Sequence, residues 1–175
     1  MPEKQPSLLQ DVLFLLAKMG IICLIIFTLF TFIYGIFRCG EGGMTPAVKD
    51  GDLVIYYRLD KNYVVSDVAV VEYEGELSPR RVAAAAGDTV DITEEGLMVN
   101  GALQQETEIY EETFRYEEGI EFPVTLEEGE IFLLGDAREH ATDSRIYGPV
   151  KAEDTRGKVM AVQNLVITGS LITII

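Results

Sequence analysis

The sequence predicts a mainly β protein carried by one N-terminal transmembrane helix. Three observations lead there. Met19 to Phe37 runs for 19 residues without a charge. Beyond it, short β-branched and aromatic runs alternate with Gly-containing turn signals. No segment after residue 40 sustains a 3.6-residue apolar period, so large helices are not expected there.

At 1.5 Å per residue the charge-free run spans roughly 28 Å, about one hydrocarbon core. Lys18 and Arg38 flank it and reach the headgroups, and Tyr34 stands where interfacial aromatics are favoured. A cleaved signal peptide fits less well. Its apolar core is about 7 to 15 residues and ends in small residues, whereas this run is longer and ends Tyr34-Gly35-Ile36-Phe37-Arg38. The chain therefore divides into a short segment 1–18, an anchor 19–37 and a domain 39–175. Lys4 and Lys18 on one side balance Arg38 and Lys49 on the other, so the positive-inside count leaves orientation open.

The formal net charge is −15, and from Cys39 onward 11 Lys+Arg face 27 Asp+Glu. That sign repels phosphate backbones, which excludes nucleic acid as a partner, and disfavours lying flat on anionic lipid. Two cysteines make neither a disulfide framework nor a CxxC zinc site. A single histidine, His140, excludes a multi-His metal centre. No cofactor or metal is expected.

Each strand has its own signal. Asp52 to Tyr57 enters from a Gly51-Asp52 turn, and Val68 to Tyr73 ends at Gly75. Thr89 to Thr93 and Leu97 to Val99 alternate with period two about Glu94-Glu95-Gly96, a hairpin pattern. Glu130 to Leu134 and Lys158 to Thr168 supply more, and Leu171 to Ile175 reads as a buried or edge strand. Residues 102–130 carry ten Glu and one Arg among scattered aromatics. They read as an acidic surface excursion, with a contact surface for a basic partner as the sharper alternative.

Three stretches belong together. They are Gly43-Met44-Thr45-Pro46 through Asp52, Arg80-Arg81-Val82-Ala83-Ala84-Ala85-Ala86-Gly87-Asp88, and Gly135-Asp136-Ala137-Arg138 through Asp143-Ser144-Arg145 to Val150. In this order, after an N-terminal anchor, they resemble the type I signal peptidases, the S26 family of membrane-bound serine endopeptidases, in its Gram-positive form. The resemblance implies an antiparallel β core beside the membrane, with residues 1–18 cytoplasmic and 39–175 extracytoplasmic. It implies structural roles for Met44, Pro46, Arg81, Gly87, Asp88, Gly135, Asp136, Arg138, Asp143, Ser144 and Arg145, with Asp143 and Arg145 as an internal ion pair. It also implies a groove for small residues at Val82, Ala83 and Ala84.

Such enzymes pair a serine nucleophile with a neutral lysine base. Here the serine's place before Met44 is Gly43, which has no nucleophile. The lysine's place is Arg80, which stays protonated and cannot accept a proton. Glu41 stands where a small hydroxyl residue helps hold the oxyanion, and its charge opposes one. Ala141 replaces the serine that orients the lysine. Thr45, Ser66, Ser78 and His140 offer no substitute pair, so no residue receives a catalytic role. The expected function is a signal peptidase I homologue without catalysis. It would bind extended segments of secreted or surface proteins such as pilins, as members lacking the dyad are associated with surface assembly. Arg80 would offer a fixed charge to a ligand carboxylate or carbonyl. The alternative is an active signal peptidase that removes signal peptides.

Overall fold

The computed structural model describes residues 8–107 and 109–163. The expected strand residues beyond Gln163, and Leu171 to Ile175, lie outside the described residues. Helix α1 covers Leu8–Thr28 and continues as a π-helical turn over Leu29–Ile33. Together they make 26 residues of mean hydropathy 2.7, none buried, long and apolar enough to cross a membrane.

The expected anchor bounds of 19–37 need correction at both ends. The helix reaches back through Lys18 and Asp11 to Leu8 and stops at Ile33. Lys18 lies along the helix with its Nζ 4.3 Å over the ring of Phe14. Tyr34–Arg38 is not helix but strand β1. Apolarity alone does not separate helix from strand, and a Gly-containing aromatic run fits a sheet edge. Gly35 is needed there: a Cβ would fall 2.1 Å from Cζ of Tyr56.

Ten further strands follow: β2 (Leu53–Tyr57), β3 (Val68–Tyr73), β4 (Glu76–Ala85), β5 (Thr89–Thr93), β6 (Gly96–Val99), β7 (Ala102–Leu103), β8 (Val124–Thr125), β9 (Glu130–Leu134), β10 (Val150–Lys151) and β11 (Gly157–Gln163). A seven-stranded antiparallel sheet runs β1-β2-β11-β3-β4-β9-β10, and a four-stranded one runs β7-β6-β5-β8. After residue 40 the only α-helix among the described residues is α2 (Ser144–Tyr147), one turn. Period-two burial decides the faces: in β2, Val54 and Tyr56 point to the core while Leu53, Ile55 and Tyr57 are half-buried.

Strand β4 was the least legible. It carries Pro79, which cannot donate to a ladder, and two consecutive arginines. Pro79 is tolerated because β9 pairs only with Arg81 to Ala85, so at residue 79 the strand has one neighbour, β3. Apolar side chains collect in three clusters, around Phe132 and Ile92, around Met44 and Tyr56, and around Val71 and Leu133.

Candidate functional site

β1 ends at Arg38, and the chain turns back through Cys39. Cys39 N donates to Asp52 O at 2.8 Å and Gly51 N donates to Cys39 O at 2.9 Å. The Cys39 thiol is buried and donates to Glu41 O at 3.3 Å. Burial pushes its pKa up, against the Glu41 backbone bond that lowers it. The following turn seats Met44 in the core opposite Val48. Gly43 O accepts from Ala137 N at 3.0 Å, which ties this turn to the 135–143 loop.

The four positions at which this chain departs from the resembled motif meet at one spot. A Cβ placed on Gly43 would lie 3.0 Å from Glu41 Oε2, 3.3 Å from Ala141 Cβ and 3.3 Å from Arg80 Nη2. The backbone is equally close on the far side, where a Cβ on Gly135 would sit 2.5 Å from Gly43 O. Arg80 enters from β4 with its side chain 2% exposed. Its Nη1 and Nη2 form a two-pronged ion pair with Glu41, the Nη2 bond measuring 3.0 Å. Nη1 also donates to Pro79 O at 2.6 Å, and Nε donates to Thr142 O at 2.9 Å. Arg80 therefore does not offer its charge to a ligand, as the sequence suggested. All three donor nitrogens are engaged inside the protein. Burial alone would lower its pKa, but the hydrogen bonds and charge of Glu41 outweigh that and hold it above the usual arginine value. The buried Tyr147 hydroxyl lies in the field of Arg80, Asp143 and Glu41, and burial raises its pKa well above the usual phenol.

The 135–145 loop is held by ion pairs. Arg145 Nε and Nη2 grip Asp143 at 2.9 and 2.8 Å, with both side chains almost fully buried. Asp143 also caps α2 by accepting from Arg145 N, and accepts from Gly135 N at 3.0 Å. Ser144 Oγ accepts from Leu133 N at 3.0 Å. Arg81 and Asp136 form a two-pronged pair at 2.8 and 2.6 Å. Asp88 closes the β4–β5 turn by accepting from Ala85 N at 3.0 Å, and Gly87 takes φ +89° beside it.

Arg138 turns the opposite way. It is buried and binds Glu106 through both Nη atoms at 2.8 and 2.6 Å, and Thr113 Oγ1 at 2.5 Å. Arg145 Nη1 adds a bond to Phe114 O at 3.1 Å, and its guanidinium stacks 4.5 Å from the Tyr116 ring centroid. The acidic excursion is thus strapped over the loop by Glu106, Thr113 and Tyr116. A reading of the segment as wholly solvated missed this. The signal was there in part, since each buried arginine needs an acceptor.

The expected groove residues need correction. Val82 and Ala84 are fully buried, in two different core clusters, and Ala83 is half-buried against one of them. Small side chains there serve packing between β4 and β9, not a pocket floor. The open cavity beside the Gly43 spot is elsewhere, about 740 Å³, lined by Phe37, Glu41, Leu77, Ser78, Arg80 and Thr142 among others. Thr45 is exposed, and its N donates to Gly42 O. His140 is exposed, and both oxygens of Asp143 are already taken by Arg145 and Gly135.

An apolar helix running into a two-sheet antiparallel domain, with a strand–loop centre beside an open cavity, defines a membrane-anchored protein of the signal peptidase class. The family described as signal peptidase, peptidase S26, matches residues 13–163, and the chain belongs to it. Among curated proteins it is 28% identical over 131 residues to thylakoidal processing peptidase 1 of Arabidopsis thaliana, covering 66% of this chain. It is 30% identical over 128 residues to the probable thylakoidal processing peptidase 2 of the same plant, again over 66% of this chain. The chain spans about a third of the length of these relatives, 37% and 34%. A crystal structure of a signal peptidase I from Enterococcus faecalis is similar at 23% identity and a TM-score of 0.46, over 55% of this chain and 96% of that one.

Proposed function

We propose that this chain is a signal peptidase homologue without catalysis, a membrane-tethered module that binds extended segments of secreted or surface proteins, pilins among them. The observation that carries the reading is the Arg80–Glu41 ion pair beside Gly43. Acyl transfer needs a hydroxyl and a base able to take its proton. Gly43 has no hydroxyl, and the guanidinium next to it is held in its charged form. The negative Glu41 carboxylate faces the place where an oxyanion would develop. The alternative, an active peptidase, needs another nucleophile, and neither Thr45 nor His140 has a partner of suitable chemistry at this spot.

Loss of the chemistry leaves the cavity open, with Phe37 and Leu77 as apolar walls. An extended segment is the natural occupant of such a strand-lined cleft. The domain is placed outside the cytoplasm and residues 1–18 inside. The test is calorimetry of the full chain in detergent with extended segments of candidate clients. Binding in the micromolar range, about −8 kcal/mol, is expected. Leu77→Trp, which fills the cavity, should weaken it about tenfold. Equal binding by wild type and Leu77→Trp would remove the cleft from the account.

A further inference from the structure

The geometry points to a second membrane contact: the 58–67 loop dips into the headgroup boundary of the bilayer that α1 crosses. The strand register places the loop. Tyr34, the first residue after the helix, pairs with Tyr57, Tyr57 with Lys158, and Lys158 with Ala69. The helix exit, the end of β2 and the starts of β11 and β3 therefore share one end of the large sheet. The loop from β2 to β3 springs from that end. Two bonds fix its root to the helix exit: Arg58 N donates to Ile33 O at 2.8 Å, and Arg58 Nε donates to Tyr34 O at 3.0 Å. Its far limb is tied to the same row by the Lys158–Asp67 pair at 2.5 Å.

The loop is apolar where solvent would reward polarity. Leu59 is 62% exposed, Val64 65% and Val65 54%. Tyr63 between them turns inward to Thr155, at 2.7 Å between hydroxyls. Phe30, Tyr34 and Tyr57 stack at the root with centroids 6.3 and 5.5 Å apart, an aromatic step at the depth where such rings favour the interface.

Charge decides in favour of lipid. The domain as a whole is too acidic to lie flat on a membrane, but four of its eleven Lys and Arg, namely Arg58, Lys61, Arg156 and Lys158, gather at this end. They balance the local Asp60, Asp67, Glu72 and Asp154, so the loop end carries no net repulsion. Three exposed aliphatic side chains beside a bilayer-crossing helix, with cations at headgroup level, make an interfacial contact. It fixes the orientation of the sheet to the membrane at a second point. This inference does not rest on the loss of catalysis.

The protein has no tryptophan, which makes the test direct. Full chain carrying Leu59→Trp, Val64→Trp or Val65→Trp is reconstituted in phosphatidylcholine vesicles with acyl chains brominated near the headgroup. Leu103→Trp, 47% exposed on β7 of the other sheet, is the reference. Quenching at 59 and at 64 or 65 should exceed that at 103 roughly threefold, as expected for side chains at the acyl boundary. It should persist when vesicles are diluted to one chain each. Quenching no greater than at 103 overturns the proposal. So does a difference that vanishes on dilution, which would mean that the loop contacts a second copy.

Discussion

Two buried arginine–carboxylate pairs stand a few residues apart in this fold and do opposite things. Arg145 and Asp143 are both almost fully buried, and every oxygen of Asp143 has a donor. Arg80 is equally buried, but its partner Glu41 keeps 30% of its side chain exposed and faces the cavity. The first pair keeps the motif the chain shares with its family and holds a loop in shape. The second occupies the centre where the family's chemistry would lie. The contrast shows how a hydrolase scaffold can be retained while its reacting centre becomes one more structural contact. A bare arginine at position 80 would be an uncompensated buried charge, and Glu41 answers it.

The comparison can be broken first at its stronger member. Asp143→Ala leaves Arg145 buried without a counter-charge and uncaps α2, and should cost about 3–5 kcal/mol, read as a fall in denaturation midpoint. Glu41→Ala should cost less, about 1–3 kcal/mol, because Arg80 keeps its bonds to Pro79 O and Thr142 O and water can reach the vacated side. If Glu41→Ala matched or exceeded Asp143→Ala, the two pairs would have been ranked in the wrong order. Gly43→Ser is smaller still, roughly 1 kcal/mol, from a Cβ forced within 3.0–3.3 Å of Glu41, Ala141 and Arg80. A stabilising Gly43→Ser would show that the spot is looser than described.

Orientation has its own, smaller readout. Cys39 should resist maleimide in whole cells because its thiol is buried, not because it faces inward. Tyr110→Cys, at an 85% exposed position, should label with an impermeant reagent. Silence at 110, with labelling of a cysteine placed at Lys4, would reverse the assigned topology.

Much of the fold was legible because period-two patterning and glycine turns are local. Strands β2, β3, β5, β6 and β9 lie within a residue or two of their sequence signals. Strand β1 was hidden inside an apolar run that a membrane would also accept, and β4 behind Pro79 and two arginines. At the site, the altered positions could be named from motif order. Their mutual satisfaction could not. Nothing local to Glu41 or Arg80 announces that residues 39 apart form a two-pronged pair. The groove was misplaced for a related reason: Val82 and Ala84 are small because two core clusters need them small, and sequence alone does not separate that from a pocket.

The central claim is that the Gly43–Arg80–Glu41 centre carries no hydrolytic pair, and cleavage tests it most directly. The full chain, reconstituted in vesicles, is incubated with a preprotein carrying an Ala-x-Ala site, beside an active signal peptidase. The account predicts no cleavage above background for the wild type. It predicts none for Gly43→Ser alone, because Arg80 still cannot accept the proton. Cleavage by the wild type at a rate comparable to the active enzyme, abolished by Thr45→Ala or His140→Ala, would contradict it.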